Sequence, residues 1–138
     1  IYDPSTQELW TGERGKGAFL NGRKISVSDR SVLKEAVITV GFSKTAAAMQ
    51  EGLGRFSELA SQVRKIRIMG SAALGLAYIA TGRLDAYIEG FISLWDIAAG
   101  VLLIEEAGGQ VTLANLDNSE DKFSIMASNN RLALPMPS

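Results

Sequence analysis

The 138-residue sequence contains no cysteine and no histidine. Without cysteine there can be no disulfide bond, no thiolate metal site and no cysteine nucleophile. Without histidine there is no imidazole to ligate a metal ion or to serve as the usual general base. Any catalysis must therefore use carboxylates, hydroxyls, lysine, arginine or a metal ion held by oxygen atoms.

The sequence also lacks a strong net charge and a long apolar run. Lys and Arg total 14 against 15 Asp and Glu, a net charge of −1, so no overall field attracts nucleic acid or an anionic membrane. No apolar segment approaches the roughly 20 residues of a membrane helix. The opening residues, IYDPSTQELW, resemble neither a signal peptide nor a transit peptide. We therefore expect a cytoplasmic protein without nucleic-acid or membrane partners.

The composition that is present is that of a folded globular protein. Hydrophobic residues make up 46% of the chain and charged residues 21%, which favours a buried core over disorder. The length suits one domain and is too short for two ordinary ones. We therefore expect residues 1–138 to form a single domain.

Hydrophobic periodicity predicts strands that alternate with helices. Helices are predicted over residues 46–63 and 72–80 and in the segment 94–109, before its closing glycine pair. The predicted strands cover residues 8–11, 17–20, 23–27, 37–41, 66–68, 84–89, 110–113 and 123–127. Asn21-Gly22 is typical of a tight hairpin turn, Ser71 of a helix N-cap and Gly82 of a helix stop. The pattern predicts a layered α/β fold with a mixed sheet.

Asp96 stands at the start of the third predicted helix, LWDIAAGVLLIEEAGG, and allows two interpretations. A carboxylate at a helix N-terminus can simply cap free N–H groups and complement the helix dipole. Alternatively, it can be an oxygen ligand of a hard cation such as Mg²⁺. Residues 97–104 are apolar or small on every face, so we expect this helix to be largely buried. A buried lone carboxylate requires a compensating partner.

Two further segments are expected at the same end of the sheet as Asp96. Glu89 ends a predicted strand that leads into the third helix. Gly70, Ser71 and Ala72 form another helix start, where N–H groups and a hydroxyl could meet an anion or a sugar hydroxyl. Because ligands of α/β proteins bind at such strand-to-helix junctions, the sequence predicts a binding site there.

Other chemically suggestive residues are better explained by structure. The glycines of residues 12–17 lack the phosphate-loop spacing and favour a turn. Glu105 and Glu106 lie at the far end of the third helix from Asp96, so we expect surface or packing roles for them. Trp95 is interpreted as a packing residue and not as a platform for substrate.

Several segments resemble the inositol monophosphatase family of magnesium-dependent phosphatases. The segment WDIAAGVLLIEEAGG, residues 95–109, resembles the C-terminal signature of that family, as does GSAALGLAYIATGRLDAYIEG, residues 70–90. Residues 2–28 resemble its middle hairpin, and IMASNNRL resembles its last strand and helix. The resemblance covers nearly the whole chain.

The resemblance implies a fold, a reaction and roles for individual residues. It implies Mg²⁺-dependent hydrolysis of a phosphate monoester, inositol monophosphate or a related sugar phosphate, by a homodimer. Asp96 would ligate the second catalytic Mg²⁺ and lie near the substrate hydroxyls, and Glu89 would contact a substrate hydroxyl. Gly70, Ser71 and Ala72 would line the substrate pocket.

The family's other metal ligands come from a Glu-Glu pair and an Asp-Pro-Ile-Asp-Gly-Thr motif, and neither occurs here. We therefore expect the chain to be the C-terminal half of a phosphatase, without the N-terminal metal-binding part, and to be inactive when isolated. Its missing half would then be a partner. Two alternatives stay open: a noncatalytic α/β interaction module derived from this fold, or a histidinol-phosphate or fructose-bisphosphate phosphatase of the same superfamily.

Overall fold

The computed structural model describes residues 1–42, 45–116 and 119–135. The helices are α1 (Ala46–Ala60), α2 (Ala72–Ala80) and α3 (Leu94–Glu106), with a short 3-10 helix at Leu33–Glu35. The strands are β1 (Tyr2–Asp3), β2 (Glu8–Glu13), β3 (Gly17–Leu20), β4 (Arg23–Lys24), β5 (Val37–Val40), β6 (Lys65–Arg67), β7 (Ala86–Ser93), β8 (Gln110–Asn115) and β9 (Lys122–Ser128).

The strands form two sheets. β1 to β4 pair in sequence order as a four-stranded antiparallel sheet. The other sheet has the order β6-β5-β7-β9-β8. Strands β6, β5 and β7 are parallel to one another, and β9 runs antiparallel to both of its neighbours, β7 and β8. The predicted layered α/β fold with a mixed sheet is thus confirmed.

The helices cover the five-stranded sheet on both faces. On one face, Leu59 of α1 packs with Ile38 and Ile88 of the sheet. On the other face, α2 and α3 lie between the two sheets, and their buried side chains pack with Tyr87 on one side and Trp10 on the other. Helices on opposite faces are what parallel crossover connections require.

The predicted turn and cap residues are confirmed. Asn21 and Gly22 have φ angles of 47° and 79°, the two positive values that the hairpin turn between β3 and β4 needs. The Ser71 hydroxyl accepts a hydrogen bond from the Leu74 N–H at 3.3 Å and caps α2. Gly82, with φ of 77°, follows the end of α2.

Several element boundaries were predicted wrongly, among them those of α1, β4 and β7. Helix α1 ends at Ala60, not at residue 63, and much of its apolar face is open, with Leu53 53% exposed. The predicted return strand 23–27 pairs only at Arg23–Lys24. Strand β7 continues through the expected connection to Ser93, because it keeps pairing with β9 beyond an irregularity between Glu89 and Ile92. It therefore runs into α3 without a loop.

Some sequence expectations fall on residues outside the described ranges. The polar residues 114–122 predict an exposed loop; in the structure β8 extends to Asn115, and residues 117–118 lie outside the described chain. The prolines of the tail predict an irregular C-terminus, of which residues 136–138 also lie outside the described chain. Within the ranges that are described, no helix combines the length and apolarity that crossing a bilayer requires.

Candidate functional site

A cleft of about 440 Å³ opens where the parallel strands β5 and β6 end, beside β7. Crevices at the carboxyl ends of parallel strands are the usual ligand sites of α/β folds. The lining residues come from β5 and the residue pair after it, the β6–α2 connection, β7 and the start of α3: Thr39, Val40, Gly41, Phe42, Ile68, Met69, Gly70, Ser71, Ala72, Ala73, Tyr87, Glu89, Ile92 and Asp96.

The structure brings all five predicted site residues to this one cleft: Gly70, Ser71, Ala72, Glu89 and Asp96. They are contributed by three separate segments, the start of α2, strand β7 and the first turn of α3. The sequence argument that these segments share one end of the sheet is therefore correct geometrically. What each residue does there is a separate question.

The start of α2 supplies backbone groups to the cleft. Gly70 has φ of 70°, a left-handed conformation that glycine adopts without strain, and so turns the chain into the helix. The oxygen of Ser71 is occupied by its capping hydrogen bond to Leu74. The first N–H groups of a helix have no partners within the helix, so this wall offers donors to an anion or a hydroxyl.

Glu89 is a nearly buried carboxylate at 9% exposure, and the Tyr87 hydroxyl donates a hydrogen bond to it. Burial raises the pKa of Glu89 above its usual value, the Tyr87 hydrogen bond opposes that rise, and the nearby Asp96 charge adds to it. Burial, and then the Glu89 carboxylate, also raise the pKa of Tyr87. The hydroxyl therefore stays protonated and donates to Glu89 at neutral pH.

Gly41 makes room for this pair. A Cβ atom built on Gly41 would overlap the Glu89 carboxylate and would lie 2.9 Å from the Tyr87 hydroxyl. Real Cβ atoms essentially never approach a neighbour so closely. The absence of a side chain directly after β5 is thus what leaves room for the Glu89 carboxylate.

The expected burial of Asp96 is wrong. Asp96 is exposed, and only one side of α3 is buried, through residues that include Ile97 and Ile104. Apolarity on every face misled the prediction, because Ala98 and Ala99 are small residues on an open face. The N-cap of α3 is Ser93, and Asp96 is the third helical residue.

The structure favours neither a cap role nor an internal ion pair for Asp96. Among the residues described, its carboxylate takes part in no hydrogen bond or salt bridge. It is therefore available to a ligand in the cleft. An acidic residue in the first turn also complements the dipole of α3.

The carboxylates of this chain do not complete a metal site. No cluster of three or more Asp, Glu, His or Cys residues suited to a metal ion occurs in the described ranges. Asp96 fits a hard cation as a single unpaired oxygen ligand, but Mg²⁺ takes about six. The donor set present is consequently partial.

The cleft residues that sequence reasoning missed include Thr39, Gly41 and Tyr87. They lie on β5, directly after β5 and on β7, where the alternating pattern indicates only which residues are buried. Tyr87 could have been found, because a residue two positions before Glu89 on a strand shares its face. Thr39 and Gly41 are brought alongside by the parallel pairing, in which Thr39 lies opposite Tyr87.

The structural interpretations of the glycine turn and the glutamate pair are confirmed. The backbone N–H groups of Gly15 and Gly17 donate to Glu106 at 2.8 and 2.9 Å, so this turn holds a carboxylate of α3. Arg14 pairs with Glu105 at 2.6 Å. These contacts join the four-stranded sheet to the end of α3 that is remote from Asp96.

Trp95 is not the packing residue that its size suggested. Its side chain is 68% exposed, and the Lys122 ammonium lies 4.6 Å from the ring centroid. That ammonium also donates to the Ser93 hydroxyl at 2.6 Å. Together these contacts hold the start of α3 against β9.

A second buried carboxylate, Asp85, has a structural role. It is fully buried before β7, at the end of the sheet opposite the cleft, and accepts hydrogen bonds from the Val37 N–H, Arg30 and Ser28. Asn129 binds the same Ser28 hydroxyl at 2.9 Å. Because this carboxylate is fully occupied by protein donors, it is unsuited to bind a ligand.

Comparison with known proteins gives a consistent result. The model of the "Inositol monophosphatase family" matches residues 1–135. The chain is 48% identical over 112 residues to the Nus factor SuhB of Xylella fastidiosa, covering 80% of this chain and 41% of that protein. It is 42% identical over 133 residues to an inositol-1-monophosphatase of Mesorhizobium japonicum, covering 94% and 49%.

A solved structure agrees with the fold described above. The inositol monophosphatase of Anabaena (Nostoc) sp. PCC 7120 superimposes with a TM-score of 0.84 at 41% identity, covering 95% of this chain and 53% of that one. The chain therefore spans about half the length of the relatives it matches.

The fold and cleft define an α/β protein with an open cleft at the carboxyl ends of its parallel strands. More particularly, the chain belongs to the inositol monophosphatase family.

Proposed function

We propose that this chain forms the alcohol-binding side of an Mg²⁺-dependent phosphatase that hydrolyses inositol monophosphate or a related sugar phosphate. The observation that carries this proposal is the convergence of Glu89, Asp96 and the α2 start in one cleft. The family match and an identity of 42% to an inositol-1-monophosphatase support it. A cytoplasmic location, expected from the sequence pattern, and a homodimer, implied by the resemblance, remain predictions.

In this proposal Glu89 accepts a hydrogen bond from a substrate hydroxyl. Its carboxylate is nearly buried, and the Tyr87 hydroxyl fixes it by donating a hydrogen bond. A fixed carboxylate in a site of restricted solvent access strongly favours substrates that carry a hydroxyl at this position. A substrate without that hydroxyl would leave one hydrogen bond of the carboxylate unmade. The backbone of Gly70, Ser71 and Ala72 forms the opposite wall, and its donors would receive substrate oxygens.

Asp96 would be the contribution of this chain to metal binding. The family is generally metal-dependent, and the unpaired carboxylate of Asp96 suits a hard cation. Bound divalent ions in such sites activate water and stabilise the leaving oxygen. Since the described carboxylates form only a partial donor set, we propose that the other ligands come from an N-terminal half of the kind that the relatives possess.

An interaction module is the alternative, and one relative gives it specific support. The protein from Xylella fastidiosa carries the name Nus factor SuhB and not the name of a phosphatase. Against a purely noncatalytic role stands the open, unpaired Asp96 beside a buried Glu89, an arrangement that a protein-binding role does not need. A measurement of phosphate release by the full-length gene product and its Asp96→Asn variant separates the two proposals.

The test is the substitution Asp96→Asn in the full-length gene product. We expect phosphate release from inositol 1-phosphate to fall on the order of 100-fold or more and to require more Mg²⁺, because the neutral amide is a poorer ligand of the cation. The measurement is initial velocity as a function of Mg²⁺ concentration. Glu58→Gln, an exposed change on α1, serves as the control and should leave both quantities unchanged.

Two results would contradict the proposal. If Asp96→Asn retained full activity at the same Mg²⁺ concentration, Asp96 would not be a metal ligand. If the wild-type gene product released no phosphate from any sugar or inositol phosphate, the interaction module would be favoured.

A further inference from the structure

The floor of the cleft contains a buried hydroxyl without a partner. Thr39 lies in the middle of β5, is fully buried and contributes to the cleft lining. Its Oγ1 atom has no hydrogen-bond partner in the described part of the chain. Buried polar side chains are almost always hydrogen-bonded, because an unsatisfied group forfeits its interaction with water. This hydroxyl therefore requires an explanation.

The neighbours of Thr39 explain why the protein does not satisfy it. Thr39 pairs with Tyr87 across the parallel strands, but the Tyr87 hydroxyl is committed to Glu89. On the side of α2, a Cβ built on Gly75 would contact the Thr39 methyl carbon at 3.4 Å, so the methyl branch faces α2. Thr39 also lines the cleft.

The surroundings indicate the chemistry of a partner. The carboxylates of Glu89 and Asp96 accept hydrogen bonds and so need donors on the ligand. The N–H groups at the start of α2 donate hydrogen bonds and need acceptors. An alcohol hydroxyl both donates and accepts, so a polyhydroxylated molecule can satisfy this mixed set. A threonine hydroxyl can likewise donate or accept.

We propose that the Thr39 hydroxyl contacts a hydroxyl of the alcohol part of the substrate and helps select polyols. This inference rests on the proposed phosphatase function and adds a residue to it. In the absence of substrate the buried hydroxyl lowers stability, and in the bound state it gains its hydrogen bond. The same atom therefore has opposite effects on stability and on substrate recognition.

The isosteric substitution Thr39→Val in the full-length gene product tests this inference. It removes the hydroxyl and keeps the shape, so the melting temperature should stay equal or rise. The KM for inositol 1-phosphate should rise about fivefold to tenfold, the effect of one lost neutral hydrogen bond. The KM for p-nitrophenyl phosphate, whose leaving group carries no additional hydroxyl, should not change.

Thr39→Ser is the matched control. It keeps the hydroxyl and removes the methyl group that packs near Gly75, so it should lower the melting temperature while the KM for inositol 1-phosphate stays within about twofold of wild type. If Thr39 acted only through packing, Thr39→Ser would raise the KM for inositol 1-phosphate more than Thr39→Val.

The remaining outcomes overturn the proposal. If Thr39→Val changes the KM of neither substrate, or of both equally, the hydroxyl does not contact a substrate hydroxyl. If Thr39→Val lowers the melting temperature without a selective KM change, the hydroxyl binds a structural water. If the wild-type protein hydrolyses neither substrate, the phosphatase function fails first, before any variant is compared.

Discussion

At the scale of single residues, the cleft depends on a position that carries no side chain. Gly41 lies against Glu89 and Tyr87, and any larger residue there must displace the carboxylate or the hydroxyl that holds it. The hydrogen bond between Tyr87 and Glu89 is internal to β7. The position of the Glu89 carboxylate, the proposed hydroxyl-binding group, therefore depends on the residue that follows the neighbouring strand β5.

Gly41→Ala should impair substrate recognition in the full-length protein. We expect kcat/KM for inositol 1-phosphate to fall by about 10- to 100-fold, because displacement of a positioned group by about 1 Å has effects of that size. Steady-state kinetics measure this change. Gly54→Ala is the control: a Cβ at Gly54 has no neighbour within 4 Å, and within helix α1 it should raise the free energy of unfolding by about 0.5–1 kcal/mol. Equal kinetics for the two variants would contradict the role of Gly41.

The residues found from sequence and those missed differ in a physical way. Glu89, Asp96 and Ser71 stand near the strand-to-helix junctions that the sequence predicts, where a polar residue interrupts an apolar pattern and is therefore noticed. Thr39 lies within a short apolar strand and Gly41 directly follows it, and their importance arises only from the pairing of that strand with β7, in which Thr39 lies opposite Tyr87. Local periodicity carries no information about that pairing.

At the scale of secondary structure elements, the turn between β2 and β3 clamps the end of α3. The Glu106 carboxylate accepts the N–H groups of Gly15 and Gly17, and these two hydrogen bonds lower the pKa of Glu106 below its usual value. A carboxyl group whose pKa is lower in the folded than in the unfolded state stabilises the fold above the unfolded pKa. That contribution disappears as the pH falls through the folded pKa.

Glu106→Gln should therefore have an effect on stability that depends on pH. The urea midpoint of the variant should lie below that of wild type at pH 7, and the difference should shrink once the pH falls through the lowered pKa of Glu106, since wild-type Glu106 is then protonated as well. Urea unfolding at several pH values measures it. Glu13→Gln, whose exposed carboxylate pairs only with Lys16 in the described ranges, should show little difference at either pH. A difference for Glu106→Gln that does not vary with pH would contradict the clamp.

The position of α3 in the sequence was predicted correctly, but its burial was not. Burial depends on how the other secondary structure elements pack around the helix. The sequence shows that Ala98, Ala99 and their neighbours are small or apolar, and such a helix suits burial on all sides. Whether each side is buried depends on which elements surround it. In the described chain the two sheets and α2 cover one side, so Asp96 stays open.

At the scale of the whole molecule, the chain provides a formed cleft but only part of a metal site. Some of the lining residues, among them Tyr87, Met69 and Val40, belong to the buried cores or pack against them. The cation donors among them amount to one open carboxylate, with Glu89 engaged by Tyr87. Substrate shape and metal binding are thus separable properties in this fold.

The isolated 138-residue chain should bind Mg²⁺ weakly and show little phosphatase activity. With a dissociation constant of about 10 mM, about 5 mM Mg²⁺ adds only about 0.2 kcal/mol of stability, so the melting temperature should rise by less than about 1 °C. Thermal unfolding with and without Mg²⁺ measures this, and the full-length gene product, which should show a larger shift, is the control. A shift of several degrees or robust Mg²⁺-dependent turnover by the isolated chain would refute the partial site.

The direct passage of β7 into α3 has an evolutionary implication. Glu89 and Asp96 are joined by strand and helix without a loop, with a pairing irregularity between Glu89 and Ile92, so the backbone constrains the spacing between the proposed hydroxyl acceptor and the proposed cation ligand. The facing wall, residues 68–71, has no regular secondary structure and tolerates insertion and substitution far better. Divergence toward new substrates within this architecture should therefore accumulate on that wall while the acidic wall stays constant.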